Sequence, residues 1–273
     1  MELYLLMLVA GLVCGGLTIL FGFGGGFVIV PLVYATIRYT SGADSLAAAL
    51  AFKSAVATSL LLMVVNAGWA SFQQHQKGNI PRGYLFPVAY WIAFGAVTGS
   101  YMALYVSAGA LKWAFAIYLL ITIAECLYRK SQQHVAHVSG QVRGLNPIEQ
   151  RVGGWLIGHV AAALGVGGSV MTVPLFRRCG LEMRRAVPLA NPLSVPVALA
   201  GCASYIVAYL YQPVDLGAAF LGYIYLPAMM CLLVGSFIGM RIALPWVGRM
   251  SNHLHEWGYT LLLSVVLLVI TLT

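Results

Sequence analysis

The stretch FGFGGGFVIVPL, from Phe21 to Leu32, decides the fold together with a second copy, LGVGGSVMTVPL, from Leu164 to Leu175. Each copy places glycines directly before a short apolar segment that contains a proline. A glycine lowers the stability of a helix interior by about 1 kcal/mol relative to alanine, so a cluster of them indicates where a helix is interrupted. The two copies predict a pair of broken helices in corresponding positions of a duplicated chain.

The composition is that of a membrane protein. Of the 273 residues, 61% are hydrophobic and 8% are charged, and the mean hydropathy is +0.88. Soluble domains carry about 25% charged residues. Apolar stretches of about 20 residues, the length of a membrane-spanning helix, recur at 2–21, 43–69, 84–106, 110–127, 148–165, 186–211, 217–241 and 256–272. They are continuously apolar, which excludes the alternating strands of a membrane β-barrel and predicts an all-α polytopic membrane protein.

Two further pairs of segments support the duplication. Residues 51–68 align with 184–201, and residues 85–99 align with 225–239, where each segment ends in Gly-x-x-x-Gly. Three landmarks in the same order indicate an internal repeat, because small residues alone would scatter at random. The sequence therefore predicts a first transmembrane repeat at 1–127, a cytoplasmic linker at 128–150 and a second transmembrane repeat at 151–273.

The basic residues predict the orientation of the halves. The short segments Gly24–Arg38 and Gly167–Cys179 follow the glycine clusters, and a 15-residue helix spans only about 22 Å of a hydrocarbon core about 30 Å thick. If each broken or re-entrant segment changes sides, twelve of the 15 Lys and Arg residues lie on one face, opposite Arg38, Lys53 and Lys112. This asymmetry is typical of a cytoplasmic face. An odd number of about five segments per half predicts two inverted repeats, as in many secondary transporters.

The glycine clusters predict an anion-binding site. A helix that begins within the membrane presents free N–H groups and the positive end of its dipole, and glycine lets a ligand approach the backbone closely. The candidate residues from the clusters are Gly24, Gly25, Gly26, Gly167, Gly168 and Ser169. The alternative is that these glycines only permit tight helix packing, the more probable role of the Gly-x-x-x-Gly pairs Gly95/Gly99 and Gly235/Gly239.

Polar side chains at membrane depth are further candidates, because such residues are costly there. Lys53 is expected to neutralise a bound anion or to extend to the outer interface, and His159 to donate to an oxyanion, to carry a proton or to bond a carbonyl. Neutral hydrogen-bonding groups follow each short segment, with helix packing as their alternative role: Thr58, Ser59, Asn66, Asn191 and Ser194. Glu125 is expected to form an interfacial ion pair with Arg129, four residues on, with a role in a proton relay as the alternative.

Several classes of protein are excluded or disfavoured. The five cysteines lack the spacing of a metal site, and His134 and His137 have no cysteine or carboxylate beside them, so no metal and no cofactor is expected. The basic residues lie between apolar spans, which argues against nucleic acid as a partner. No nucleotide-binding motif, serine nucleophile elbow or HExxH occurs, which argues against an enzyme.

With these motifs the sequence resembles the TauE/SafE sulfite exporters, a family of anion permeases. The resemblance rests on Gly22–Pro31, on the weaker copy Gly165–Pro174 and on the Ala-Thr-Ser-Leu stretch Ala57–Leu60, and it covers essentially the whole chain. It implies transport of small anions of the sulfite, thiosulfate or sulfonate class across the bacterial inner membrane. The second half departs from the family pattern, with Asn191-Pro192-Leu193-Ser194 in place of the Thr-Ser element.

The resulting hypothesis is a multi-pass secondary transporter, or permease, that moves a small sulfur oxyanion or organosulfonate by alternating access, with one half rocking against the other. Protons are one candidate driving force, and movement down a gradient is another. The alternatives are an anion channel and a transporter of carboxylate-type organic anions. Outside transport, the rivals are an intramembrane enzyme and a membrane subunit that serves as an assembly platform.

Overall fold

The computed structural model describes residues 2–22, 25–42, 44–78, 80, 82–133, 143–181, 183–247, 249 and 251–272. Over this part of the chain eleven α-helices form: α1 Glu2–Phe21, α2 Gly26–Thr40, α3 Leu46–Ala49, α4 Ala51–Gln76, α5 Arg82–Tyr105, α6 Ala108–Gln133, α7 Gly154–Leu164, α8 Ser169–Arg178, α9 Met183–Tyr211, α10 Leu226–Ala243 and α11 Asn252–Leu272. A π-helical turn at Glu149–Gly153 precedes α7, and a 3-10 turn at Leu244–Trp246 follows α10.

Six of the helices in the described residues are long and apolar enough to cross a membrane. They lie within α1, α4, α5, α6, α9 and α10. Their outward faces expose many large apolar side chains, including Leu5, Phe94, Ile121 and Leu210. In water such a surface would be unfavourable, but in lipid it is the expected exterior. The prediction of an all-α polytopic membrane protein is confirmed.

The centre of the molecule is formed by α4 and α9, which pack against each other. Of the six long helices, α4 is the most buried. Around this central pair α1 packs along α10, α5 packs along α7, and α6 contacts α11. Helices α2 and α8 lie against α4 and α9 respectively. The contacts named here thus occur in corresponding pairs in the two halves, although the inverted orientation of the halves stays a prediction.

Glycines allow α1 and α10 to approach closely. A Cβ atom at Gly15 would overlap the carbonyl of Ser236, and one at Gly239 would overlap the carbonyl of Leu12. Small residues permit such backbone contact between membrane helices. Because α1 belongs to the first half and α10 to the second, this interface joins the two halves.

The same arrangement occurs between α5 and α7. Cβ atoms at Gly95 and Gly99 would overlap the carbonyls of Trp155 and His159, and one at Gly158 would overlap the carbonyl of Ile92. Both Gly-x-x-x-Gly pairs therefore serve helix packing. The halves contact each other extensively through α1–α10 and α5–α7. The boundaries 1–127, 128–150 and 151–273 remain a prediction about duplication in the sequence, and they do not define spatially separate domains.

Two sequence expectations differ from the structure in their bounds. The apolar stretch 217–241 begins with a β-hairpin, in which Phe220–Leu221 pairs antiparallel with Ile224–Tyr225, and α10 starts only at Leu226. Left-handed backbone at Gly217 (φ 98°) and Gly222 (φ 59°) prevents an earlier helix. At the predicted linker, α6 continues to Gln133, while residues 134–142, with His134 and His137, lie outside the described part.

Candidate anion site at the helix breaks

The first break separates α1 from α2. Helix α1 ends at Phe21, and the N–H of Gly22 (φ 77°) donates to the carbonyl of Thr18. Gly25 has φ 88°, a left-handed conformation that suits glycine, and α2 begins at Gly26. The predicted site residue Gly24 lies outside the described residues.

The second break separates α7 from α8 in the aligned position. Gly165, the counterpart of Gly22, is also left-handed with φ 67°. The N–H of Val166 donates to the carbonyl of Ala161, which closes the end of α7. After Gly167 and Gly168, α8 begins at Ser169. The glycine clusters therefore interrupt both helices, as the sequence predicts.

The two helix starts lack a side-chain cap. The residues before α2 and α8 are Gly25 and Gly168, which have no side chain to accept a hydrogen bond from the first turn. The first N–H groups of a helix have no partner within it and carry its positive dipole end. Both starts are therefore suited to receive an anion.

The breaks contact each other. A Cβ atom at Gly26 would lie 2.6 Å from the carbonyl oxygen of Gly165 and 2.8 Å from the Cα of Val166, so the close approach requires a glycine there. The hydroxyl of Ser59, on α4, donates to the same Gly165 carbonyl at 2.8 Å. Ser59 thus links α4 to the second break by a hydrogen bond. The start of α2 lies beside the end of α7.

Asn66 places an unused donor at the start of α2. The residue is fully buried, and its Oδ1 accepts a hydrogen bond from Ser236 Oγ at 2.9 Å. Its Nδ2 has no hydrogen-bond partner among the described residues. A Cβ atom at Gly25 would lie 3.7 Å from this nitrogen. The amide therefore points to the N-terminus of α2, where it would add a donor for an anion.

Unpartnered hydroxyl groups occupy the first turn of α8. Ser169 and Thr172 are fully buried, and in the described part of the chain neither side-chain oxygen has a hydrogen-bond partner. A buried hydroxyl without a partner costs about 1–3 kcal/mol, so both hydroxyls are suited to bond a ligand at this helix start. Ser169 occupies the position that aligns with Gly26.

Thr58, Asn191 and Ser194 bond to protein groups. Thr58 Oγ1 donates to the carbonyl of Ser54 and accepts from the N–H of Tyr225 at 3.0 Å. Asn191 Nδ2 donates to the carbonyl of Thr18 at 3.0 Å. Ser194 Oγ donates to the carbonyl of Ala190 in its own helix. Thr58 and Ser194 therefore have no free donor for an anion in this conformation, while Asn191 borders the first break.

Lys53 and His159 lie away from the breaks. Lys53 Nζ donates to the carbonyl of Leu104, in the last turn of α5, and is about 9 Å of helix rise from Ser59. His159 Nδ1 is 3.0 Å from Thr98 Oγ1, and the imidazole packs beside Trp155. The structure thus brings neither side chain to the helix starts.

The bonding partners of these two residues line a cavity of about 900 Å³ between α5 and α9. Its polar lining includes Thr98, Ser204 and Gln212 together with the tyrosines Tyr101, Tyr105, Tyr211 and Tyr223. The sequence analysis missed this cavity. Its only sequence signal is a set of tyrosines near the ends of two spans, a common position for tyrosine at membrane interfaces.

Two ion pairs join the end of α8 to α6 and the segment before α7 to the π-helical turn. Arg178, at the end of α8, donates to the carboxylate of Glu125 on α6; the side chain of the expected partner Arg129 lies outside the described part. Glu149 pairs with Arg143, with contacts of 2.6 and 2.7 Å. The hydrogen bond from Arg143 lowers the pKa of Glu149 to about 2.

A sequence model of the family described as sulfite exporter TauE/SafE matches residues 7–271. The chain belongs to this family. Two relatives carry the description probable membrane transporter protein. The one from Haemophilus influenzae is 27% identical over 265 residues, which covers 96% of each chain. The one from Methanocaldococcus jannaschii is 24% identical over 246 residues, which covers 87% of this chain and 85% of the relative.

No solved structure matches the chain significantly. The sequence-based assignment to the TauE/SafE family is confirmed, and with it a multi-pass membrane transporter of the inner membrane. The TauE/SafE family is one of exporters and not of enzymes.

Proposed function

We propose that this TauE/SafE protein is a secondary transporter that carries a small sulfur oxyanion or organosulfonate by alternating access, with the anion held at the starts of α2 and α8. One observation carries the proposal. A glycine inside the fold precedes each helix, and a buried polar group without a hydrogen-bond partner among the described residues, Asn66 Nδ2 or Ser169 Oγ, lies at each start.

The donors of this site suit an oxyanion. Backbone N–H groups, an amide and hydroxyls can each bond one of several acceptor oxygens. The family description supports a sulfur oxyanion as the substrate. Lys53 is bonded elsewhere, so the proposed donors at the breaks are neutral. Neutral donors offset only part of the cost of desolvating the anion, which favours the moderate affinity that a transporter needs to release its substrate.

The packing modifies the expected motion. Close glycine contacts join α1 to α10 and α5 to α7 across the halves, which favours a motion other than the rocking of two separate halves. Backbone-to-backbone interfaces of this kind resist separation. We expect each of these cross-half helix pairs to move as a unit against the central α4–α9 pair.

The cavity between α5 and α9 lies close to the second break, and a movement of α9 would open a route between them. A Cβ atom at Gly168 would lie 3.6 Å from a methyl of Val197 on α9. Ala200, which lines the cavity, follows Val197 by one helical turn. A small displacement of α9 would therefore connect the cavity with the start of α8.

Counterflow in proteoliposomes tests this function. Vesicles that contain the purified protein and unlabelled sulfite are expected to accumulate radiolabelled sulfite transiently, with saturable rates. Thiosulfate and methanesulfonate should compete, whereas acetate and lactate should not. Linear, non-saturable flux without counterflow would instead favour a channel, and competition by carboxylates alone would favour a carboxylate transporter.

A further inference from the structure

The first break is rich in hydrogen-bond acceptors. Asn191 is fully buried, and its Nδ2 donates to the carbonyl of Thr18 in the last turns of α1. Its Oδ1 has no hydrogen-bond partner among the described residues. Next to it, the carbonyl oxygen of Val187 would lie 3.0 Å from a Cβ atom at Gly22. An amide oxygen and a backbone carbonyl of α9 therefore adjoin the end of α1.

Prolines leave a further acceptor on the same part of α9. The helix contains Pro188, Pro192 and Pro196. Because Pro192 has no N–H, the carbonyl of Pro188 lacks its usual helical donor. In an α-helix the carbonyl of a residue points toward the residues one turn further along, so we expect the Pro188 carbonyl beside Asn191. The proline spacing thus adds one oxygen ligand to this part of α9.

The two breaks differ in this respect. At the second break Ser59 donates its hydroxyl proton to the carbonyl of Gly165. In the aligned segments the counterpart of Ser59 is Pro192, which has no donor. The first break therefore lacks the hydroxyl donor that Ser59 provides at the second break. In addition, the C-terminal end of α1 carries the negative pole of its helix.

We propose that these oxygens, namely Asn191 Oδ1 and the α9 carbonyls of Val187 and Pro188 at the end of α1, bind Na⁺. Oxygen ligands suit hard cations, and the absence of a carboxylate among these three ligands favours a monovalent ion over a divalent one. In other transporters Na⁺ is bound where broken helices end, and here the end of α1 adjoins these α9 oxygens. Water molecules complete the shell.

This site deepens the proposed transport function. The cation lies at the end of α1, and the proposed anion lies across the same break at the start of α2. Each ion would reduce the electrostatic cost of burying the other, because opposite charges attract strongly at low dielectric. Na⁺ would then be the coupling ion. The coupling rests on the transport function, whereas binding of Na⁺ does not.

Thermal stability of the purified full-length protein tests the binding. Without any substrate anion, the melting temperature is compared in NaCl, KCl and choline chloride at equal concentration. A saturable increase specific to Na⁺ is expected, because a ligand that binds only the folded state stabilises it. A melting temperature that does not differ among the three salts would overturn the proposal.

Three variants locate the site. Asn191→Leu should weaken the apparent affinity for Na⁺, read from the melting temperature, by at least about 10-fold. Even the loss of a group that only supports a metal ligand lowers metal affinity about 10- to 100-fold. Pro192→Ala returns an N–H donor to the Pro188 carbonyl, and alanine is compatible with a helix. This variant should therefore also weaken the apparent Na⁺ affinity. Pro196→Ala, one turn further along α9, is the matched control and should retain the Na⁺ affinity of the wild type. If Asn191→Leu does not fold, Pro192→Ala decides.

An unchanged Na⁺ response in Pro192→Ala, or an equal loss in Pro196→Ala, would contradict this placement. The two proposals are tested separately. Sulfite transport is measured by counterflow, whereas Na⁺ binding is measured by melting temperature without sulfite. A protein that responds to Na⁺ but shows no counterflow would retain the cation site and lose the proposed transport function.

Discussion

Replacing Gly25 by alanine is expected to lower sulfite affinity by about 100-fold, equivalent to about 2.7 kcal/mol. Gly25 has φ 88°, and the left-handed region costs a residue with a side chain about 1–2 kcal/mol. The new methyl would lie 2.9 Å from Ile29 Cδ1 and would occupy the space before Asn66 Nδ2. Sulfite-dependent thermal stabilisation and sulfite counterflow are the measurements.

Two other glycine variants serve as controls for this substitution. Gly68→Ala lies on α4 with no atom within 4 Å of its Cβ position, so it should leave affinity unchanged. Gly168→Ala should have a smaller effect than Gly25→Ala, because its φ is −58° and its nearest contact is a side-chain methyl at 3.3 Å. Wild-type affinity in a folded Gly25→Ala protein would refute a role for the start of α2.

Replacing Asn66 by leucine is expected to weaken sulfite binding about 10- to 100-fold, because a hydrogen bond to a charged group contributes about 1.5–3 kcal/mol. Leucine has a similar size but no donor to replace Nδ2. The hydroxyl of Ser236 loses its bond to Asn66 but keeps a bond of 3.0 Å to the carbonyl of Leu233, so no polar group is left unpaired. Titration of thermal stability with sulfite measures the change.

Ser194→Ala is the matched control for the Asn66 variant. Both residues are fully buried, but among the described residues the hydroxyl of Ser194 bonds only the carbonyl of Ala190 in its own helix. Its loss should reduce stability slightly and leave sulfite affinity intact. Equal sulfite affinities for Asn66→Leu and the wild type would show that the amide does not contact the anion.

The fold was largely predictable because its strongest signals are local in sequence. Length and hydropathy determine the spans, and the glycine clusters determine the breaks, since no tertiary contact is needed for a glycine to end a helix. The hairpin before α10 was missed because its apolar residues resemble a continuing span. The left-handed Gly217 and Gly222 lie before the hairpin and in its turn, where they direct the chain out of a helix.

The candidate site was predictable only in part. Aligned motifs predicted short segments from Gly24 and Gly167, and the structure begins α2 at Gly26 and α8 at Ser169. The positions of Lys53 and His159 depend on which helices meet, which a single sequence does not specify. Lys53 bonds the end of α5 instead of the breaks. The contacts α1–α10 and α5–α7 also join segments that are far apart in the sequence, and a single sequence does not specify them.

The most direct test of the central claim is the position of a bound anion. Anomalous diffraction from crystals soaked in selenite, the selenium analogue of sulfite, would reveal it. We predict an anomalous peak within hydrogen-bonding distance of the N–H groups that begin α2 and of Asn66 Nδ2, next to the start of α8. A peak beside Lys53 or the tyrosines of the cavity, with none at the breaks at saturating selenite, would contradict the account.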